Sequence, residues 1–157
     1  MIDLLRQPLT EIRRVQSELL ARQIALCARG HEYYRRRWAE AGIDPAAIRT
    51  IDDLECLPLT HKRELMADPE VFRLRCPDLP LHERALWEVN YTTGSTDEPT
   101  PLYVTTHDYH AYLLQARRMA EITGITDRDR LANLFPLTPA PMGAFVRSAA
   151  NAYGAGA

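Results

Sequence analysis

Apolar residues return at helical spacing through the first forty positions of the chain. Ile12, Val15, Leu19 and Leu26 recur at intervals of three, four and seven, with Arg13, Arg14, Glu18 and Arg22 between them. The pattern predicts an amphipathic helix that Thr10 can cap and Gly30 breaks. A second helix is predicted over 31–41, ending at Gly42, with Tyr34 and Trp38 on one face. Asp44-Pro45 marks a short helical turn with Asp as cap and Pro at the first helical position. Residues 54–59 read as an apolar connector whose Leu57 is pushed toward extended backbone by Pro58. Thr60 is the expected cap of a short helix over 61–66, and Pro69, Pro77 and Pro80 make 68–83 irregular.

The period changes after residue 84. Residues 85–91 alternate and are rich in β-formers, and Pro101-Leu102-Tyr103-Val104-Thr105 is a second such run after a turn over 92–99. Thr106 or Asp108 can cap a long helix over 107–122, with Tyr109, Leu113, Ala116 and Ala120 along one stripe and Gly124 ending it. Residues 131–135 read as a short buried strand stopped by Pro136, and 142–153 as a helix of small residues. The fold class expected is α/β: a helical N-terminal lead-in, 1–84, followed by an incomplete β-turn-β-α-β-α portion, 85–157. The final residues, Asn151 to Ala157, read like a chain stopped in mid-fold.

Composition adds exclusions. With 46% hydrophobic and 25% charged residues, the 157-residue chain has the balance of an ordinary globular protein. Nineteen basic against 21 acidic residues give a net charge of −2, which supplies no overall drive toward nucleic acid or an anionic membrane. The Arg35-Arg36-Arg37 run reads as a solvated helix face. No apolar run approaches the roughly 18 residues that span a bilayer, and no signal peptide is visible. Cys27, Cys56 and Cys76 lie far apart without CxxC spacing, as expected of reduced thiols in a cytoplasmic protein, with Cys27 in the core. His107 and His110 stand three apart near a helix start, but the one nearby carboxylate, Asp108, points elsewhere on a helix, so they read as surface histidines.

The chemistry is concentrated in Tyr91-Thr92-Thr93-Gly94-Ser95-Thr96-Asp97-Glu98-Pro99-Thr100. Four hydroxyl side chains and a glycine between two strands make either a polar hairpin turn or a cradle for phosphate oxygens. It is not a Walker A loop, since the GxxxxGK[ST] pattern is absent. About thirty positions upstream stands Leu57-Pro58-Leu59-Thr60-His61-Lys62-Arg63-Glu64-Leu65.

Together these two segments resemble the phenylacetate–CoA ligase branch of the adenylate-forming enzymes (the acyl-CoA synthetase, AMP-dependent ligase superfamily). In that branch an L-P-x-T-x-K-x-x-L segment leads to a phosphate loop of the form S/T-S-G-S/T-T-G-x-P-T. Leu57, Pro58, Thr60, Lys62 and Leu65 fit the first element, and Thr92 to Thr96 with Pro99 and Thr100 fit the second. Arg117-Arg118 and Asp129-Arg130-Leu131 also look like this family. The resemblance spans roughly residues 10–157. It implies an enzyme that activates a carboxylic acid, aromatic acids included, with ATP and Mg²⁺ as an acyl-adenylate. The acyl group then passes to coenzyme A or to a carrier-protein thiol.

The resemblance implies that Thr93, Gly94, Ser95 and Thr96 face the ATP phosphates. Phe135 and Met142 would line the acid pocket; no catalytic residue is assigned. Two positions depart from the pattern: Asp97 replaces the second loop glycine and Glu98 a frequent lysine. Two carboxylates beside a polyanion imply weakened ATP binding, and an alternative reading is a degenerate, non-catalytic interaction module of the same superfamily. The family's adenine-binding motif and C-terminal domain with its catalytic lysine have no counterpart in these residues, so this stretch alone is expected to be inactive. An incomplete sheet is also expected to associate, as a homodimer or otherwise, through its exposed edge.

Overall fold

The computed structural model describes residue 4 and residues 6–92, 99–135 and 141–155. These fall into two compact units, Met1–Cys76 and Pro77–Ala157.

The first unit is helical. Helix α1 (Leu9–Gly30) begins two residues earlier than Thr10 capping requires. The carbonyl of Pro8, held in extended backbone, accepts from Glu11 N (3.0 Å) and Ile12 N (3.1 Å), so Thr10 falls inside the first turn. Helix α2 (Glu32–Glu40) is capped by His31, whose Nδ1 accepts from Tyr34 N at 3.4 Å. It stops as the sequence predicts. Gly42 takes φ +67°, Gly42 N donates to Ala39 O (3.1 Å) and Ile43 N donates to Trp38 O (2.9 Å). That closure turns Ile43 back onto Trp38 in the core.

Ile24, Cys27, Trp38 and Ile48 form this core, with Leu20, Tyr34, Ile43 and Leu57 packed against it. The Asp44-Pro45 turn is a 3₁₀ helix, Pro45–Ala47, with the Asp44 carboxylate accepting from Ala46 N at 2.9 Å. Residues 54–56, read as connector, instead close a 3₁₀ helix, Ile51–Cys56, because Asp53 accepts from Thr50 N and the Thr50 hydroxyl. Helix α3 (Lys62–Ala67) is capped at His61 rather than Thr60: Glu64 reaches back and accepts from His61 N at 2.8 Å. Phe72 then stacks on Tyr33, with ring centroids 4.1 Å apart.

The second unit carries the sheet. After the one-turn helix α4 (Leu81–Arg84), β1 (Leu86–Tyr91) and β2 (Pro101–Thr105) pair antiparallel. The register sets Val89 opposite Tyr103 and Tyr91 opposite Pro101, with a bulge between Leu86 and Glu88. Helix α5 (Thr106–Thr123) follows β2 without a break and packs against α6 (Pro141–Tyr153). Its cap is Thr105, one residue before the earlier of the two expected candidates. The Thr105 hydroxyl accepts from Asp108 N while the Asp108 carboxylate accepts from Thr105 N at 2.9 Å. Gly124 ends α5 as expected.

The α/β order with a helical lead-in therefore holds, with one departure in detail. Residues 131–135 form no sheet strand, and Leu134 is 91% exposed. The Asn133 side chain organises this stretch as a turn, accepting from Phe135 N (3.1 Å) and donating to Gly143 O (2.8 Å). No helix among the described residues is long and apolar enough to cross a membrane.

Candidate functional site

The hydroxyl-rich segment is anchored by its two ends. Thr92 N donates to Thr100 O at 3.1 Å, and Thr100 N donates to the Thr92 hydroxyl at 3.0 Å. One threonine thus extends the β1–β2 ladder by a residue and adds a side-chain clasp to it. Thr93, Gly94, Ser95 and Thr96, the expected phosphate-facing residues, lie outside the described residues, as do Asp97 and Glu98. Beside them Thr100 is 4% exposed, and its hydroxyl oxygen has no hydrogen-bond partner among the described residues. A buried hydroxyl without a partner is costly. Here it stands next to Thr92, at the base of the hydroxyl-rich segment.

Below the clasp, alternation along the strands sends Glu88 and Asn90 of β1 and Leu102 and Val104 of β2 to one face. Helices α5 and α6 cover that face and leave a cavity of about 280 Å³. Trp87, Tyr109, Tyr112 and Phe145 supply aromatic walls, with the Trp87 and Tyr109 ring centroids 4.7 Å apart. Gln115 and Arg147 add polar lining, the Tyr109 hydroxyl donates to Ser148 Oγ at 3.0 Å, and Asn90 Nδ2 donates to Glu88 Oε2 at 3.3 Å. An apolar chamber with a handful of convergent polar groups is the usual form of a small-molecule site.

Met142, 47% exposed, is among the cavity residues. Phe135, 56% exposed, is not, because the Asn133 turn carries it away. Reading the sequence for chemistry assigned no role to Thr100, Asn133 or Ser148. Only Thr100 had a signal there, as the last residue of the loop pattern. The other two act through contacts ten and 39 residues distant in sequence. Beyond α5, the Asp129 carboxylate accepts from Thr126 N (2.7 Å) and the Thr126 hydroxyl (2.9 Å). These bonds hold its pKa below the usual value and fix the turn that leads to 131–135.

No protein-family model matches the chain. A phenylacetate–coenzyme A ligase of Thermus thermophilus is 30% identical to it over 128 residues. Over that stretch the chain is similar to a phenylacetate–CoA ligase-like adenylate-forming enzyme. The match covers 82% of this ligase-like chain but 28% of the Thermus protein.

Among solved structures, a 2-hydroxyisobutyryl-CoA ligase bound to 2-HIB-AMP and CoA in the thioesterification state superposes with a TM-score of 0.78 at 22% identity. That superposition covers 96% of the ligase-like chain and 33% of the structure. The same ligase in the postadenylation state, with 2-HIB-AMP, gives a TM-score of 0.75 at 22% identity, covering 95% of this chain and 31% of that one. At that identity the likeness establishes the fold. The ligase-like chain thus spans less than a third of its Thermus relative and about a third of the solved structures it matches.

Proposed function

We propose that this chain is the phosphate-binding part of an AMP-forming carboxylic acid–CoA ligase. Residues 93–96 hold the ATP phosphates, and the β1–β2–α5–α6 cavity forms one wall of the acid site. The observation that carries the reading is the clasp between Thr92 and Thr100, with the buried Thr100 hydroxyl, which has no partner among the described residues, beside it. It supports the reading because the two residues that flank the hydroxyl-rich segment are bonded to each other. In such enzymes ATP supplies the adenylyl group that activates the acid, and Mg²⁺ screens its charge. This chain's part is positioning: Thr93, Ser95 and Thr96 donate hydroxyl hydrogen bonds, Gly94 offers its amide, and Trp87, Tyr109 and Met142 exclude water from one side of the acid. The aromatic walls fit an aromatic acid.

Residues 85–157 carry this role and 1–84 support it as a helical region. The acceptor is coenzyme A, the setting is the cytoplasm, and these 157 residues alone release no pyrophosphate from acid and ATP.

Asp97 and Glu98 weaken the ATP site electrostatically. In a protein joining this chain to the downstream part of such a ligase, Asp97→Gly tightens Mg·ATP binding by about fivefold. That is the scale of ~1 kcal/mol for one unit charge at about 4 Å in water. Calorimetric titration reads the change. Tightening supports a working phosphate site. No binding in either form points instead to a non-catalytic module descended from the same fold.

A further inference from the structure

The strand hairpin brings His107 to two side chains, His82 and Glu83, that lie far from it in sequence. His82 and Glu83 lie on α4, and His107 occupies the first turn of α5. One ligand atom from each falls within a cluster no wider than 4.8 Å, and His82 Nε2 stands 3.6 Å from Glu83 Oε1. A tetrahedral zinc ion with bonds of about 2.0–2.2 Å holds its ligand atoms roughly 3.3–3.6 Å apart. The His82–Glu83 pair is already at that spacing. The His107 ring and the His82 ring are exposed, so rotation about their side-chain bonds closes the remaining gap.

The backbone that carries these groups is held firmly. Thr105 and Asp108 cap each other across His107, and Ala85 N donates to Leu81 O at 2.8 Å across α4. Helices α4 and α5 also pack directly on one another.

We propose that His82, Glu83 and His107 bind a Zn²⁺ ion that ties α4 to the start of α5. Two imidazoles and a carboxylate suit a borderline divalent ion rather than Mg²⁺, which prefers six oxygens at near-octahedral angles. Three protein ligands leave the fourth position open to solvent or to an outside ligand. The site is independent of the ATP reading, because it uses none of the residues assigned to it.

The test is a zinc titration of the 157-residue chain, freed of metal, in competition with a chromophoric chelator. One equivalent of Zn²⁺ is expected, and millimolar Mg²⁺ does not displace it. His82→Ala and His107→Ala each weaken binding by tenfold or more, Glu83→Gln weakens it, and His110→Ala leaves it unchanged. Far-UV circular dichroism of each variant confirms that these surface substitutions keep the fold. X-ray absorption at the zinc edge of the unsubstituted protein reads the ligands without any variant, and two imidazoles are expected. Wild-type affinity in His82→Ala or His107→Ala overturns the site, as does a zinc spectrum with one imidazole or none.

Discussion

His31 shows how much one side chain does here. It ends α1, caps α2 through Nδ1 and packs its ring against Tyr34, with centroids 4.4 Å apart, and edge-on to Phe72. Burial pushes its pKa below the usual 6.5, against the opposing effect of a backbone hydrogen bond with Phe72. A proton on Nδ1 would also remove the acceptor that Tyr34 N uses. The unfolded chain takes up that proton near pH 6.5 and the folded chain only at lower pH. Stability from this residue is therefore intact above about pH 6.5 and is lost as pH falls through that value toward the lowered one. His31→Asn keeps a good cap without a titrating ring. Thermal unfolding followed from pH 7.5 to 5 should show a shallower acid loss in the variant, and equal slopes would refute the assignment. Cys27 moves the opposite way, since burial raises its thiol pKa, so it costs stability only at alkaline pH.

The junction of α1 and α2 explains a residue that the sequence declares for a different reason. Gly30 looks like a helix breaker, and α1 does end there, but the glycine has no positive φ. What it provides is room. A Cβ at Gly30 would lie 2.0 Å from Cys76 Sγ and 3.0 Å from the Arg75 carbonyl oxygen. The returning chain, bonded through Arg75 N to Gly30 O at 2.8 Å, passes directly over it. Gly30→Ala should destabilise the protein by about 1–3 kcal/mol, the usual cost of overpacking, and Cys76→Ala in the same chain should recover part of that loss. Urea unfolding of the four proteins measures the coupling, and simple additivity would place the clash elsewhere.

The same junction separates what was legible from what was not. Helices with a clear apolar stripe, the glycine stop at Gly42 and the two alternating runs of the hairpin follow from local pattern, which packing then reinforces. Caps moved from Thr10 to Pro8, from Thr60 to His61, and from Thr106 or Asp108 to Thr105, because a carbonyl or a carboxylate three residues onward satisfied the helix start first. The strand expected at 131–135 failed because Asn133 bonds to a helix ten residues away, which no local pattern records. The zinc ligands were hidden for the same reason: His107 was paired with His110 by spacing, whereas the hairpin delivers His82 and Glu83.

In the sheet-bearing unit as a whole, two strands are too few to bury what they carry. Trp87, Val89, Tyr91 and Leu102 are each more than a third exposed, and each strand has an unpaired outer edge among the described residues. Unpaired apolar edges are templates for further strands. The chain should therefore associate with rising concentration, and Val89→Lys should suppress this by placing a charge on β1. Sedimentation velocity over a dilution series decides the point, and a coefficient that stays constant for the unsubstituted chain would count against it. The Thr92–Thr100 clasp acts at this same scale. Because the strands and the clasp already bring the two ends of the segment together, the entropy of closing it is settled before any ligand arrives. Each doubling of a flexible loop adds only about 0.6 kcal/mol to that closure term. Other sequences, and moderately longer ones, between the two threonines should therefore cost the framework beneath little stability.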